Sequence, residues 1–290
     1  MPLRSTLRQG LQTLLAHQVP SANLAAELLL MHVLGRDRAY IYSHPDDDLS
    51  PEILERYNKL IQERAAGKPT QYITGHQEFW DLDFEVTPDV LIPRPETEHV
   101  VERTIELAKR RGLEMDAPLR IVDVGTGSGC IALAMASEFP GATVYAVDIS
   151  PAALAVATRN ALRLGLADRV RFVESDLLDK LIDADSAKEF DFVLSNPPYV
   201  GKQELESVQR EVRDFEPALA LGTNLERAEE IYEKLFPQAF EALKPGGCVV
   251  VEIGYKMHDR VVALFGDSWV EIEVTPDLAG IPRVVSARKP

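Results

Sequence analysis

Cysteine is nearly missing from this chain. Cys130 and Cys248 stand far apart among 290 residues and form no Cys-x-x-Cys pair. That excludes a disulfide scaffold and a zinc ribbon. Both thiols fall in segments read as core, where a small buried hydrophobe is the expected role. Long apolar runs are missing as well. The longest, Cys130-Ile131-Ala132-Leu133-Ala134-Met135-Ala136, falls far short of the roughly 20 residues of a membrane span and reads as a core-helix segment. No membrane association is expected. The six histidines share no ligand spacing, so no metal is expected, and His76 and His99 read as surface or packing residues.

Positive charge is scarce, with 31 Lys and Arg against 46 Asp and Glu. The imbalance is uneven: residues 1–80 carry 9 acidic and 8 basic side chains, and residues 81–290 carry 37 and 23. The second part repels nucleic-acid phosphate, so no nucleic-acid partner is expected, whereas a basic protein would be steered in. The start has no acid before Glu27 but contains Arg4 and Arg8, a composition shared with organelle-targeting segments. The helical spacing of Leu7, Leu11, Leu14 and Leu15 favours an ordinary packing face. A bacterial-type cytoplasmic location is expected, with an organelle matrix left open and no secretory signal.

What is present divides the chain. Residues 1–70 read as a small bundle of amphipathic helices. Ser21 or Asn23 caps a helix carrying Leu24, Leu28, Met31 and Leu34 and ending at Gly35. Ser50-Pro51 starts another, with Leu54, Tyr57 and Ile61 on one face. Residues 71–95 read as a linker with a β-hairpin, in which Phe79 to Val86 alternates as a strand. Ile92-Pro93-Arg94-Pro95-Glu96-Thr97-Glu98 is a rigid turn feeding a helix. Over 96–290, strands (119–124, 143–147, 170–174, 190–194, 248–253, 270–275, 284–287) alternate with helical patterns, including a long one at 225–243. That alternation predicts a doubly wound, mostly parallel sheet, with ligands beyond the carboxyl ends of its strands.

Three motifs fall on that rim. Asp123-Val124-Gly125-Thr126-Gly127-Ser128-Gly129 joins the first strand of the sheet to its helix. Its alternating glycines allow a sharp turn and close approach to a ligand, and no Lys-Ser/Thr follows to make a phosphate loop of Walker type. Asp148 ends the next strand, where a carboxylate can accept from both hydroxyls of an adenosine ribose, or can cap the following helix. Asp176 and Leu177 follow the third strand. Asp176 can bond an adenine amine while Leu177 packs on the ring, with helix capping as the alternative for Asp176.

The third motif, Ser195-Asn196-Pro197-Pro198-Tyr199-Val200, ends the strand at 190–194. Adjacent prolines terminate a ladder, since neither donates an N–H. Here the sequence resembles the class I S-adenosylmethionine-dependent methyltransferases, among which Asn-Pro-Pro-Tyr marks enzymes that methylate planar nitrogens. An amide nitrogen is a poor nucleophile because its lone pair is delocalised into the carbonyl. Asn196 Oδ1 and the Pro197 carbonyl can each accept one N–H, fixing the nitrogen and stabilising the charge that develops on it. Pro198 stiffens the turn, and Tyr199 can stack on the substrate plane.

Further stretches narrow the resemblance to the glutamine N5-methyltransferases of peptide-chain release factors. These are Pro69-Thr70-Gln71-Tyr72-Ile73-Thr74-Gly75, the 92–98 turn, Val212-Arg213-Asp214-Phe215-Glu216-Pro217 and Asp277-Leu278-Ala279-Gly280-Ile281-Pro282-Arg283. The resemblance covers essentially the whole chain. It implies a Rossmann-like, seven-stranded methyltransferase domain behind a helical substrate-recognition domain. The implied cofactor is S-adenosylmethionine, leaving as S-adenosylhomocysteine, and the implied substrates are class 1 release factors, modified on the Gln of their Gly-Gly-Gln loop. Gly125, Thr126, Gly127, Ser128, Gly129, Asp148, Asp176, Leu177 and Asn196 would bind the cofactor, and Asn196, Pro197, Pro198 and Tyr199 the glutamine. Some members carry Trp where Leu177 stands. Arg213 and Glu216 read as a structural ion pair or as residues that order the loop over the substrate, and the chain reads as a monomer. Alternatives from the same tetrapeptide are a nucleic-acid amino-methyltransferase and a ribosomal-protein glutamine methyltransferase; a non-catalytic binding module is a third.

Overall fold

The computed structural model describes residues 1–183, 189–201, 208–223 and 225–290. The chain separates into two compact units, Met1–His76 with Gln209–Phe215, and Gln77–Val208 with Glu216–Pro290.

The first unit is helical. It contains α1 (Leu3–Ala16), α2 (Ala22–Leu34), α3 (Arg38–Ser43), α4 (Pro51–Ala65) and α5 (Thr70–Thr74), with the short helix Arg210–Phe215 tied to α4 by an Arg64–Glu211 ion pair. Ser50 Oγ accepts from Ile53 N–H to cap α4 and Pro51 occupies its first position, as Ser-Pro predicts. Ser21 stands at the N-cap of α2 but in left-handed backbone (φ 50°), and its side chain makes no capping bond. Asn23 Nδ2 donates instead to Glu27 Oε1, 3.1 Å.

Two helical faces differ from the expected ones. In α1 the buried line is Leu3, Thr6, Gly10 and Leu14, while Leu15 is 59% exposed; one residue on is about 100° round the helix. In α2 the buried face is Ala25, Ala26, Leu29, Leu30 and Val33, and Leu24 is exposed. That helix is apolar on most sides, so periodicity alone does not select a face, and its alanines allow the closer packing.

A hairpin of β1 (His76–Phe79) and β2 (Leu82–Glu85) follows, and all of it but His76 belongs to the second unit. Instead of one strand through Phe79–Val86, the chain reverses at Trp80-Asp81, both in left-handed backbone (φ 53° and 55°), the conformation of a type I′ turn. Trp80 N–H donates to Glu98 Oε1 and its indole N–H to Glu138 Oε1, 2.9 and 2.8 Å.

Next come α6 (Glu98–Arg110), β3 (Arg120–Val124), α7 (Cys130–Glu138), β4 (Thr143–Asp148), α8 (Pro151–Arg163), β5 (Val170–Glu174) and β6 (Phe190–Ser195). After the helix Glu230–Ala242 follow β7 (Leu243–Glu252), β8 (Val270–Pro276) and β9 (Pro282–Arg288). The described residues form a seven-stranded sheet in the order β5-β4-β3-β6-β7-β9-β8. Pairing is parallel from β5 through β7, and β9 pairs antiparallel with both β7 and β8.

Both faces of this sheet are buried. Ile121, Val144, Phe192 and Val250 pack with Val100, Val101 and Leu133 on one side. Val122, Val147, Val193 and Val249 pack with Tyr232, Leu235 and Phe236 on the other. Strands covered on both faces carry continuous apolar runs. The expected helix over 225–243 begins only at Glu230, where the Glu230 carboxylate accepts from Arg227 N–H, 3.1 Å. The Lys244-Pro245-Gly246-Gly247 stretch, which directly follows the expected helix, lies inside β7, whose pairing with β6 shifts register between Phe190 and Phe192. Among the described residues no helix is long and apolar enough to cross a membrane.

Candidate active site

The parallel register fixes what meets at the carboxyl rim. Val124, the last residue of β3, pairs with Val147 of β4 and with Ser195 of β6. Three loops therefore leave the sheet side by side, and Ser195 Oγ donates to Val124 O across the join, 2.7 Å. The glycine loop is the middle one. Gly125 N–H and Thr126 N–H both donate to Val147 O, 2.8 and 2.9 Å. Gly125 and Gly127 have φ of 74° and 55°, and a Cβ on either would meet no atom within 4 Å. Both line a cavity of about 250 Å³. Their missing side chains thus hold space open beside the backbone. Gly129 acts differently: a Cβ there would stand 3.2 Å from Ala157 Cβ, so its bareness lets the loop pack on α8.

Thr126, Ser128 and Gly129, expected at the ligand, do not line the cavity. Thr126 and Ser128 are buried. Thr126 Oγ1 donates to Asp123 Oδ2 at 2.6 Å, and Ala132 N–H donates to the same oxygen at 3.1 Å. Asp123 is fully buried, and burial pushes its carboxyl up to about 7 against the pull of those two donors. Asn160 braces the loop from beneath. It exchanges two hydrogen bonds with the Glu85 backbone (2.7 and 3.0 Å) and donates a third to Ser128 O at 2.9 Å. The hairpin is thereby fastened to the glycine loop.

Asp148 lines the cavity. Its Oδ2 accepts from Gly127 N–H and its Oδ1 from Ser150 N–H, both 2.9 Å. Burial raises its pKa, and the backbone donors Ser150, Gly127 and Ile149 work in the opposite direction. Capping of α8 falls to Ser150, whose Oγ accepts from Ala153 N–H at 3.2 Å. Asp176 and Leu177 also line the cavity. The capping bond after β5 comes from Ser175, whose Oγ accepts from Lys180 N–H at 3.0 Å. Leu177 stands in left-handed backbone, φ 48°, a conformation that costs a branched apolar residue energy and gathers at functional positions.

Of the tetrapeptide, Asn196 and Pro198 line the cavity, whereas Pro197 and Tyr199 do not. Asn196 Nδ2 donates to Thr97 Oγ1 at 3.0 Å, and Thr97 Oγ1 donates to Glu252 Oε2 at 2.6 Å. The Tyr199 hydroxyl donates to Glu252 Oε1 at 2.9 Å, and Tyr232 donates to the Glu252 backbone oxygen at 2.8 Å. Tyr199 also packs close to Gly254, where a Cβ would approach Tyr199 Cδ2 to 3.0 Å. Burial, and after it the Glu252 charge, holds the Tyr199 phenol well above its usual range.

Glu252 escaped the sequence reading, as did Asp89, Val90, Leu91, Leu219 and Ala220 on the cavity wall; Thr97 and Pro217 stood in quoted motifs but were given no place in the site. Glu252 carried a signal: it is a carboxylate closing an otherwise apolar strand on the same rim. Arg213, expected to pair with Glu216, pairs with Asp214 in the first unit, and Glu216 pairs with Arg94 in the second. No metal-holding group of His, Cys, Asp or Glu occurs among the described residues.

Residues 5–75 match the PrmC N-terminal domain, and residues 110–225 match the methyltransferase small domain. The release factor glutamine methyltransferase of Koribacter versatilis is 49% identical over 100% of this chain and 99% of its own length. That of Moorella thermoacetica is 41% identical over 98% and 97%. Among solved structures, the hMettl16 catalytic domain in complex with the MAT2A 3'UTR hairpin 6 aligns with a TM-score of 0.53. It is 16% identical and covers 79% of this chain and 81% of that one, a likeness of fold alone. With full-length relatives at that identity, an N-terminal helical unit and a mostly parallel seven-stranded sheet, the chain belongs to the release factor glutamine methyltransferase family.

Proposed function

We propose that this protein transfers a methyl group from S-adenosylmethionine to the side-chain amide nitrogen (N5) of the glutamine in the Gly-Gly-Gln loop of class 1 release factors. The observation that carries the reading is the setting of Asn196. It lines the same cavity as Gly125, Gly127 and Asp148, while its Nδ2 is committed to Thr97. Its Oδ1 is thereby the atom available to accept an N–H from a substrate amide.

The residues fit the cofactor. Gly125 and Gly127 leave open space where side chains would project. Asp148 has acceptor capacity beyond its backbone donors for ribose hydroxyls, since an ionised carboxylate offers about four lone-pair sites. Asp176 and Leu177 supply an acceptor and an apolar wall for adenine. Bound there, S-adenosylmethionine supplies an electrophilic methyl carbon whose C–S electron pair returns to sulfur on transfer.

The chain's own part is positioning. Asn196 Oδ1 and, as the family resemblance implies although Pro197 lies off the cavity wall, the Pro197 carbonyl hold the two amide protons, so the nitrogen lone pair is directed at the methyl carbon. Both acceptors grow more favourable as positive charge develops on nitrogen, which makes their effect specific to the transition state. After the N–C bond forms, the nitrogen releases one proton to solvent, and no strong general base is required. Tyr199 is tied to Glu252, so it acts as a wall beside the tetrapeptide. Residues 1–70 are assigned to recognition of the release factor.

The test is methyl transfer from labelled S-adenosylmethionine to three acceptors: a class 1 release factor, its loop Gln→Ala variant, and duplex DNA. Label is expected on the first alone. Label on DNA and none on the factor would overturn the reading.

A further inference from the structure

Asn196 is useful to an amide substrate only in one of its two flipped orientations. With Oδ1 toward the substrate it accepts an N–H; with Nδ2 there, two donors face each other. Something must select between states that differ little in shape. We infer that Glu252, acting through Thr97, is the group that selects the orientation of Asn196; both are positioning residues for the transfer. This inference rests on the glutamine-methylation reading above.

Hydrogen-bond direction makes the selection. Burial raises the Glu252 pKa, and the Thr97 and Tyr199 hydroxyls that donate to its two oxygens work in the opposite direction; in its charged form the carboxylate accepts and cannot donate. Glu252 is 1% exposed and Thr97 2% exposed, so neither has bulk water with which to change partners. Glu252 Oε2 takes the Thr97 hydroxyl proton and Glu252 Oε1 takes that of Tyr199. With its one proton spent, Thr97 Oγ1 can only accept from Asn196, and the group it accepts from is Nδ2. The amide oxygen is left for the cavity. Direction thus passes from a carboxylate on β7, through a hydroxyl at the entry to α6, to the amide after β6. These are positions 155 and 99 residues apart in sequence. Tyr232 fixes the β7 end of the relay through the Glu252 backbone oxygen. Buried networks of this kind specify one arrangement when every member is satisfied.

The substitution Thr97→Val keeps shape and removes the hydroxyl, and Thr97→Ser keeps the hydroxyl and removes a methyl. With S-adenosylmethionine and a class 1 release factor, Thr97→Val is expected to lower kcat on the order of 10- to 100-fold. KM for the factor and the calorimetric Kd for S-adenosylmethionine should stay within about 3-fold, a difference of only some 0.6 kcal/mol. Thr97→Ser should restore most of kcat. A second readout needs no turnover: the Asn196 side-chain amide protons, followed by NMR, should lose their hydrogen-bonded shift in Thr97→Val and regain it in Thr97→Ser. If the wild type methylates the factor and Thr97→Val retains kcat within 2-fold, the inference fails while the function stands. Equal losses in Thr97→Val and Thr97→Ser would also overturn it. A wild type that fails to methylate the factor at all would instead fault the underlying reading.

Discussion

Asp123 shows how a residue of the glycine motif can serve the site without touching it. It lies beneath the loop, accepts from Thr126 Oγ1 and Ala132 N–H, and its other oxygen, Oδ1, has no hydrogen-bond partner among the described residues. Burial lifts its carboxyl from 3.8 to about 7. The sign follows from proton counting. Between those two values the folded state binds more protons than the unfolded one, so this group's contribution to stability falls as pH rises from about 4 to about 7 and is level above that. Asp123→Asn keeps an acceptor for both donors and removes the ionisation. Urea unfolding at pH 5 and pH 8 should show the variant gaining on the wild type as pH rises. An unchanged difference between the two pH values would contradict the buried, raised carboxyl.

Single residues also mark where the sequence stopped being informative. That Gly125, Gly127, Asp148, Asp176, Leu177, Asn196 and Pro198 gather on one cavity was legible because each motif stands directly after a strand, and parallel strands bring their ends together. Thr97 and Glu252 were not, since their meaning lies in a partner far along the chain. The same limit applies to Arg213 and Glu216, whose partners in the structure are Asp214 and Arg94, the latter from the turn before α6.

At the scale of elements, close approach in the first unit depends on one glycine. A Cβ at Gly10 of α1 would stand 2.2 Å from the Tyr57 hydroxyl oxygen and 2.8 Å from its ring. Tyr57 is fully buried and bonded to Ala26 O at 3.2 Å, so it has no room to yield. Gly10→Ala should therefore destabilise by about 1–3 kcal/mol, as overpacking does. That outweighs the gain of about 1 kcal/mol that Ala brings to a helix interior. Chemical denaturation measures it, and a neutral or stabilised variant would contradict the packing. The elements themselves were read well where one period dominated, as in β3 to β6, whose apolar runs are bounded by turn residues. They were read poorly where two signals competed. The α2 helix is apolar nearly all round, the Trp80-Asp81 turn adopts left-handed backbone without glycine, and β7 runs through a Pro-Gly-Gly stretch that looks like a loop.

Charge is a property of the whole molecule. Residues 81–290 carry 37 acidic and 23 basic side chains, a field that speeds the approach of a basic partner and slows that of nucleic acid. A release factor whose target loop is basic would be such a partner. Stopped-flow association with the factor should slow steeply as salt rises from low to physiological ionic strength; a flat response would remove steering from the account. The central claim concerns one nitrogen atom. Fragmentation mass spectrometry of a release factor, after incubation with the enzyme and S-adenosylmethionine, locates the methyl directly. The account predicts a single methyl on the side-chain amide of the Gly-Gly-Gln glutamine, lost when Asn196 is changed to Ala. A methyl on any other group, or an undiminished yield from Asn196→Ala, would contradict it.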